Sequence, residues 1–445
     1  MPGYAHITYA QLQAEVATRL DDPGNIFWTA GEIQVYILEA LRTWQAFAHY
    51  WRDRMTFNTA ANTIFYDLTQ QPGTLIPFTV KDSDITSVML YHLLEPQLNA
   101  GLYVGTDMFR LADFTKALER RRNQFLLEAA MVLTRQVMNW PAPPISRSPI
   151  DDRTIALMRV AWIDPGGNFT VLWRSSEWSA SAYKRGWENN ATLTPAEYSI
   201  AAEPPVTLQV IPPPLNSGQV EMLSVFAGAT LNPTVGVLLG IPDDFSWAIK
   251  WGALADLLAK SGEARDMLRA SYCEQRYKEG VALALVHTSA VQGLINGAQS
   301  PIQAVKSFDT FLPSWQNQAA TKPTDLALAS WNMLAVSPQP DNVGYSIVLD
   351  VAKNAPLPVN PGDFIQVGRE ELDVVIDYVE HLASFKIGGN EFMETVPLYQ
   401  NFQRVAAVYN ETLAAAIDSV QPMGDRATRQ DILEPRRTGA TIGKA

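Results

Sequence analysis

The first fifty residues carry the most regular pattern of apolar positions in the chain. Thr8 is a suitable N-cap, and the segment that follows predicts a helix with one buried face, formed by Leu12, Val16 and Leu20. The turn-forming residues 21–25 end this helix. Thr29 followed three residues later by Glu32 is a capping-box sequence, and a helical period continues from there to about Tyr50.

The pattern then changes toward shorter elements. Residues 55–68 are rich in Thr, Phe, Ile and Tyr around two asparagines, which predicts a β-hairpin. Residues 84–94 predict a further strand. Apolar positions from 113 to 137 predict a long helix, which the prolines of residues 140–144 end because proline cannot continue a helix.

Residues 154–226 have the composition of β-structure. Residues 155–163 and 169–173 flank the turn sequence Asp164-Pro165-Gly166-Gly167-Asn168, which predicts a hairpin. We expect a second pair of strands in the same manner around a proline-rich turn, at residues 206–211 and 219–226. Four such strands predict a small antiparallel sandwich or sheet.

Helical patterns return after the β-region. Pro242-Asp243-Asp244 opens a helix with an apolar stripe, and a second helix follows over about 263–281. Beyond the weakly periodic residues 300–341, we expect a strand at 345–351 and helices at 363–385 and 402–417. Residues 421–445 are polar and show no buried face, so we expect a tail that is disordered until it meets a partner.

These patterns predict an α+β protein that is mainly α. We expect a helical bundle with an inserted small antiparallel β-domain and an additional C-terminal domain. The predicted parts are residues 1–153 together with 241–290, residues 154–240, residues 291–420 and the extended tail 421–445.

Composition narrows the classes of function. The 445 residues carry 34 Lys and Arg against 46 Asp and Glu, a net charge of −12, which argues against a protein that neutralises nucleic-acid phosphates. The single cysteine, Cys273, excludes an internal disulfide and a cysteine-based zinc site, and we expect it to be a buried hydrophobe on a helix. We see neither a secretory signal nor a membrane span, and expect a soluble protein that matures in the cytoplasm.

The sequence shows no motif for catalysis, cofactors or metals. The five histidines are not spaced as helix-borne ligands, and phosphate-loop and dinucleotide patterns are missing. Adjacent acids at 21–22, 151–152 and 243–244 are typical of caps and turns, although a carboxylate pair assembled by the fold would suit a hydrolase. We therefore expect no catalytic, cofactor-binding or metal-binding residue.

Two groups are candidates for contacts between subunits. Arg120, Arg121 and Arg122 spread over about 200° of a helix, so they suit a solvated face with ion pairs, a contact to an acidic neighbouring subunit, or a DNA contact. Trp44 and Trp51 are seven residues apart, so we expect them on one stripe. That stripe is either core or part of a ring interface.

The order of these patterns resembles a known family. The opening helices with Thr29–Ile33 and Glu39–Trp44, the Phe57–Leu68 segment, and the later blocks Ile241–Phe245 and Arg269–Tyr277 resemble the head–tail adaptor proteins of tailed bacteriophages, including the tail tubular protein A type. The resemblance covers roughly residues 8–285. It implies a helical scaffold with an inserted β-region and no catalytic residues.

The resemblance implies a virion structural protein of the phage neck. Such adaptors form rings, often dodecameric, below the portal protein, leave a central passage for DNA, and contact downstream neck or tail proteins. A C-terminal arm often embraces the portal, which assigns portal docking to the tail and, within it, to Ile432, Leu433, Arg436 and Arg437. A distal tail or baseplate component that binds fibres, and a virion-associated hydrolase, are the alternatives.

Overall fold

The computed structural model contains both helices and strands, with 41% helix and 23% strand, which confirms the predicted α+β class. It describes residues 6–94, 108–141, 145–183, 185–201, 205–263, 265–287 and 289–420, with the backbone alone at 291 and 412–420. The described α-helices are α1 Tyr9–Arg19, α2 Ala30–Ala48, α3 Asp82–Leu93, α4 Leu111–Ala129, α5 Glu177–Tyr183, α6 Ser246–Ala259, α7 Met267–Val286, α8 Val305–Phe311, α9 Arg369–Ser384, α10 Gly389–Glu394 and α11 Val396–Val420.

The described strands form small sheets of four strands each. They are β1 Arg52–Asn58, β2 Phe65–Asp67, β3 Thr134–Asn139, β4 Arg147–Pro149, β5 Thr154–Ile163, β6 Phe169–Val171, β7 Trp173–Arg174, β8 Glu197–Ala201, β9 Thr207–Ile211, β10 Gln219–Phe226, β11 Ala290–Ile295, β12 Ala298–Ser300, β13 Ile302–Ala304, β14 Asp325–Leu328, β15 Met333–Ser337 and β16 Ser346–Ala352. The strand orders are β1-β16-β11-β12, β3-β10-β5-β6, β13-β14-β15-β2 and β4-β9-β8-β7.

Tertiary contacts divide the chain into two units, residues 1–50 with 357–445 and residues 51–356. In the first unit, α1 and α2 pack with α9, and α11 packs with α2 and α9. Trp44 meets Phe402 edge to face with ring centroids 5.4 Å apart, and Phe402 stacks on Tyr378 at 4.4 Å. The predicted bundle instead combined the N-terminal helices with residues 241–290. This grouping differs from the observed one because a sequence does not show which distant helices share a core.

The second unit holds a helical group and all four sheets. Helices α6 and α7 pack on each other, α4 packs on both, and α3 packs on α4 and α6. Asp243 starts this block, as predicted, but its carboxylate does more than favour a helix N-terminus. It accepts hydrogen bonds from the backbone N–H groups of Thr79 (2.8 Å) and Val80 (3.1 Å) and from the Asn354 side chain (3.1 Å), and so fastens two distant segments to the helix start.

The β-region is a two-sheet sandwich. The 164–168 turn and the hairpin around it are present as predicted, with Ala161 opposite Val171. Side chains from both sheets share one buried core that includes Leu157, Trp162, Tyr198 and Val210. Strands β9 and β10 were expected to pair around the proline-rich turn, and this pairing is wrong, because β9 lies between β4 and β8 in one sheet and β10 between β3 and β5 in the other.

Two other predicted strands are corrected by the structure. The predicted hairpin at 55–68 is absent, because β1 pairs with β16 and β2 pairs with β15, so each strand finds a partner far away in sequence. Residues 84–94 form helix α3 rather than a strand. Ile85, Val88 and Met89 are buried at helical spacing there, and this spacing outweighs their β-like composition.

The long helix predicted over 113–137 ends earlier. Helix α4 stops at Ala129, Ala130 adopts a left-handed conformation with φ of 47°, and residues 134–139 continue as β3. No described helix is long and apolar enough to cross a bilayer. The predicted tail 421–445, with Ile432, Leu433, Arg436 and Arg437, lies outside the described residues.

Candidate interaction surface

Among the described residues, no group of three or more His, Cys, Asp or Glu side chains is arranged to hold a metal ion. Cys273 is fully buried on α7, as predicted, and burial raises the pKa of its thiol, which disfavours the nucleophilic thiolate. The features that stand out are instead grooves and exposed apolar side chains, which suit contacts with other macromolecules.

A groove of two adjoining cavities runs along the second unit. The cavities have volumes of about 640 and 480 Å3 and share Leu133, Met158 and Ala329 in their walls. The first cavity is lined without any Lys, Arg, Asp or Glu, and the second includes both cationic and apolar side chains. We call the two together the groove.

Met158 reaches the groove because strand β5 is irregular at this point. Arg159 lies opposite Leu223, but the next pair is Leu157 with Ser224, so Met158 is an extra residue in β5. A β-bulge of this kind redirects a side chain out of the regular alternation. Leu157 stays in the sandwich core, whereas Met158 is 52% exposed at the junction of the two cavities.

A largely buried ionic network contributes Arg159 and Asp309 to the lining of the second cavity. Glu221 is fully buried on β10 and accepts hydrogen bonds from Arg135 (2.7 Å), Arg159 (3.2 Å) and Gln316 (3.1 Å). Arg159 also binds both carboxylate oxygens of Asp309 on α8, at 2.8 and 3.0 Å. The two arginines are balanced by the two carboxylates, so no buried charge is left without a counter-charge. Because Asp309 and Gln316 bind Arg159 and Glu221, the network holds the sandwich against residues 305–317.

Two further cations at the second cavity are not part of that network. Arg174 on β7 and Lys306 on α8 both line the cavity and are both exposed. Neither has a hydrogen bond or ion pair with another side chain within the part of the chain that the structure describes. This end of the groove therefore presents an apolar surface with two positive charges, on a chain whose net charge is −12.

The second cavity also borders a free sheet edge. The Asp164 N–H donates to the Asn168 carbonyl (3.0 Å) and the Leu172 N–H donates to the Val160 carbonyl (2.9 Å). Because backbone groups alternate along an antiparallel strand, those of Phe169 and Val171 face away from β5. The Asn317 side chain donates to the Phe169 carbonyl (2.8 Å) and accepts from its N–H. Val171 lines the cavity, and in the described sheet no strand covers that side of β6.

Other large apolar side chains are exposed as well, and one of them, Trp173, also lines the second cavity of the groove. Between β7 and β10, the side chains that are at least half exposed are Trp173, Trp178, Tyr183, Leu193 and Leu215, with Tyr183 at 90%. Helix α5 buries only Ala180, against Trp187 and Ile211. Aromatic residues are enriched at protein interfaces, so these exposed side chains suit a contact with another macromolecule.

In the first unit, a tightly held loop displays apolar side chains. The Asp22 carboxylate accepts backbone hydrogen bonds from Ile26, Phe27 and Trp28 at 2.8 to 2.9 Å, and these lower its pKa. The Lys386 ammonium donates to the Phe27 carbonyl (2.6 Å). Even so, Ile26 is 89% exposed at the tip of the loop.

The predicted interface arginines have separate environments. Arg120 is the exposed member, with 63% of its side chain accessible, and it pairs with Asp256. Arg121 is 8% exposed, binds Asp256 (2.5 Å) and Glu274 (2.7 Å), and lies over the Tyr277 ring. Arg122 is fully buried and donates to the Ala229 carbonyl (2.6 Å). Ion pairs within the chain therefore engage all three arginines, since Arg122 also lies 3.8 Å from the Glu119 carboxylate, and only Arg120 keeps surface for a neighbour.

The two predicted interface tryptophans do not share a helical stripe. Trp44 is buried on α2 in the core of the first unit. Helix α2 ends at Ala48, where His49 turns left-handed with φ of 48°, so Trp51 follows the helix rather than belonging to it. Trp51 is half-buried under the Lys353 ammonium, 4.9 Å from the ring centroid. The ring interface itself stays a prediction.

The sequence analysis missed the groove and the sheet edge. Met158, Arg174 and Lys306 come from separate parts of the chain, and only the folded sheets bring them together. The sole local signal was a charged residue, Arg159, next to Met158 within the otherwise apolar run of residues 155–163. No protein-family model matches this chain, and no curated protein matches it either.

Proposed function

We propose that this chain is a virion structural protein, the head-to-tail adaptor of a tailed phage, which forms a ring below the portal and links the capsid to the tail around a passage for DNA. The observation that carries this function is the arrangement of the second unit. Helices α3 and α4 pack with α6 and α7, although the β-sandwich is inserted between α4 and α6 in the sequence. The adaptors that the sequence resembles also have a helical scaffold with an inserted β-region, although the opening helices that carry part of the resemblance belong here to the first unit.

The surface chemistry supports an assembly protein. The exposed aromatic side chains of the sandwich, Trp173, Trp178 and Tyr183 among them, suit a contact that is completed only in an assembly. The net charge of −12 suits a channel wall, because an acidic lumen repels DNA phosphates and lets the genome slide. In this function the chain needs no cofactor, and its partners are the portal protein, further copies of itself and downstream neck or tail proteins.

Electron microscopy of the purified protein, alone and mixed with the portal protein of the same phage, tests this function. We expect rings, or a new layer of density below the portal. Particles that remain single and leave the portal unchanged would refute the neck position and favour a distal tail or baseplate component.

A matched pair of variants makes the experiment specific. Trp178→Ser changes a residue that is 84% exposed on the sandwich, and Val359→Ser changes one that is 82% exposed in the first unit. Both should fold, because neither side chain is packed. If the aromatic surface is an assembly contact, Trp178→Ser should reduce the fraction of assembled particles, and Val359→Ser should leave it unchanged.

A further inference from the structure

We propose that the cationic end of the groove binds residues 431–434 from the tail of a second copy of this chain. This inference rests on the proposed ring assembly, and it gives Ile432 and Leu433 a neighbouring subunit as their partner rather than the portal. The segment would lie extended against the free edge of β6.

The tail contains a short segment whose chemistry matches the groove. Residues 431–434 read Asp-Ile-Leu-Glu, two apolar side chains between two acids. The groove offers the reverse arrangement, an apolar surface at Met158 with exposed Arg174 and Lys306 beside it. Successive side chains of an extended segment point to opposite faces, so Leu433 shares a face with Asp431, and Ile432 shares a face with Glu434. Leu433 can then leave water against Met158, while each acid pairs with one of the two cations.

The sheet edge supplies a way to bind an extended segment. The N–H and carbonyl groups of Val171 face away from β5, toward the side where Asn317 already pairs with the backbone of Phe169. Addition of a strand to such an edge gives main-chain hydrogen bonds, and flanking pockets then select the side chains. The Asn317 contact limits the free part of the edge to the end nearest the groove.

A second copy is the occupant that a ring requires. A closed ring uses a heterologous interface, in which two different surfaces of each subunit meet, one from each neighbour. The groove is one such surface, and a tail segment of complementary charge is the other. Each subunit would thus bind one neighbour through its groove and the other through its tail.

Disulfide trapping between two separately purified full-length variants tests the contact. One variant carries Leu433→Cys, and the other carries Met158→Cys, at a residue that is 52% exposed. Cys273 is fully buried, so the introduced cysteines are the ones available for reaction. We expect a disulfide-linked heterodimer under mild oxidation, and much less product when Val235→Cys, at a residue that is 75% exposed outside the groove, replaces Met158→Cys.

Charge reversal separates a specific contact from random collision. Arg174→Glu with Lys306→Glu should slow trapping by about 2- to 30-fold, the range expected for two exposed ion pairs. Reversal of the tail acids, Asp431→Lys with Glu434→Lys, should restore the rate. The inference would be overturned by equal trapping at positions 158 and 235, or by a trapping rate that neither charge reversal changes. It would also be overturned if the disulfide formed only within a single chain that carries both cysteines.

Failure of this inference can be told apart from failure of the proposed function. Rings that form normally with Ile432→Asp and Leu433→Asp, without trapping at position 158, would leave the adaptor function standing and remove the tail-to-groove contact. An absence of any ring or portal complex for the unmodified protein would refute the adaptor function itself.

Discussion

Replacement of Glu221 by glutamine should loosen the β-sandwich more than any surface change of the same kind. Glu221 is fully buried and accepts hydrogen bonds from Arg135, Arg159 and Gln316. The substitution keeps the shape of the side chain but removes its charge. It also places an amide N–H₂ group where the neighbours are donors, so at least one hydrogen bond is lost and the cations lose a counter-charge.

The structure bounds the size of this effect. Removal of one partner from a buried ion pair commonly costs about 3 to 5 kcal/mol, because the other charge stays buried and uncompensated. Here Arg159 keeps both of its contacts with Asp309, and 35% of the Arg135 side chain is exposed and can be rehydrated. We therefore expect the free energy of unfolding to fall by about 2 to 3 kcal/mol, a little below that range.

A surface pair on the same sandwich provides the control. Glu177 and Arg147 are 2.6 Å apart, and their side chains are 51% and 50% exposed. Such pairs contribute about 0 to 1 kcal/mol, so Glu177→Gln should change stability little. Amide hydrogen exchange of peptides from β5 and β10, with urea midpoints as a second measurement, compares the two variants. Equal protection of β5 and β10 in the two variants would show that the network does not hold the sandwich.

Three further outcomes are expected. Cys273 should not react with a thiol reagent in the native protein and should react fully in urea, since burial raises its pKa; rapid native reaction would contradict its burial. The Asp22 pKa is lowered by its backbone hydrogen bonds, so its carboxylate stabilises the loop above the ordinary value of 3.8 and this stabilisation is lost as the pH falls through the lowered pKa. As the pH falls through this lowered pKa, amide exchange at Ile26 to Trp28 in the native protein, corrected for its intrinsic pH dependence, should accelerate. An unchanged corrected rate would refute this link between the charge of Asp22 and the stability of the loop. Truncation after Val420 should leave the thermal midpoint unchanged and weaken assembly with the partner, and a lower midpoint in the isolated protein would refute this.

Elements with local signals could be predicted from the sequence. The capping box at Thr29 and Glu32 is present, with the Thr29 N–H donating to the Glu32 carboxylate at 2.8 Å. The turn at 164–168 is present as well, with Gly167 at a positive φ of 83° that glycine adopts without strain. In both cases all the interacting groups lie within a few residues of one another, so their spacing alone specifies the geometry.

Pairing between distant segments could not be predicted in this way. The alternating pattern of β1 indicates that one face of the strand is buried. It does not identify the partner strand, which is β16, nearly three hundred residues later. The same limit applies to α2 and α9, which share a core in the first unit although an entire second unit separates them in the sequence. Composition alone was also insufficient at residues 84–94, where the period of burial and not the β-branched content decided the element.

The acidic pair Asp243-Asp244 shows how a correct local interpretation can miss the main role of a residue. Both acids precede α6, as a favourable charge at a helix N-terminus would. In the structure, however, the Asp243 carboxylate accepts backbone hydrogen bonds from residues 79 and 80, and Asp244 accepts one from the Ala355 N–H at 3.2 Å. These acids hold residues 79 and 80, which precede the helical group in the sequence, and Ala355, which follows it. Both acids are largely buried, so they are unavailable as catalytic carboxylates. For this pair, the structural interpretation is favoured over a hydrolase site by the contacts themselves.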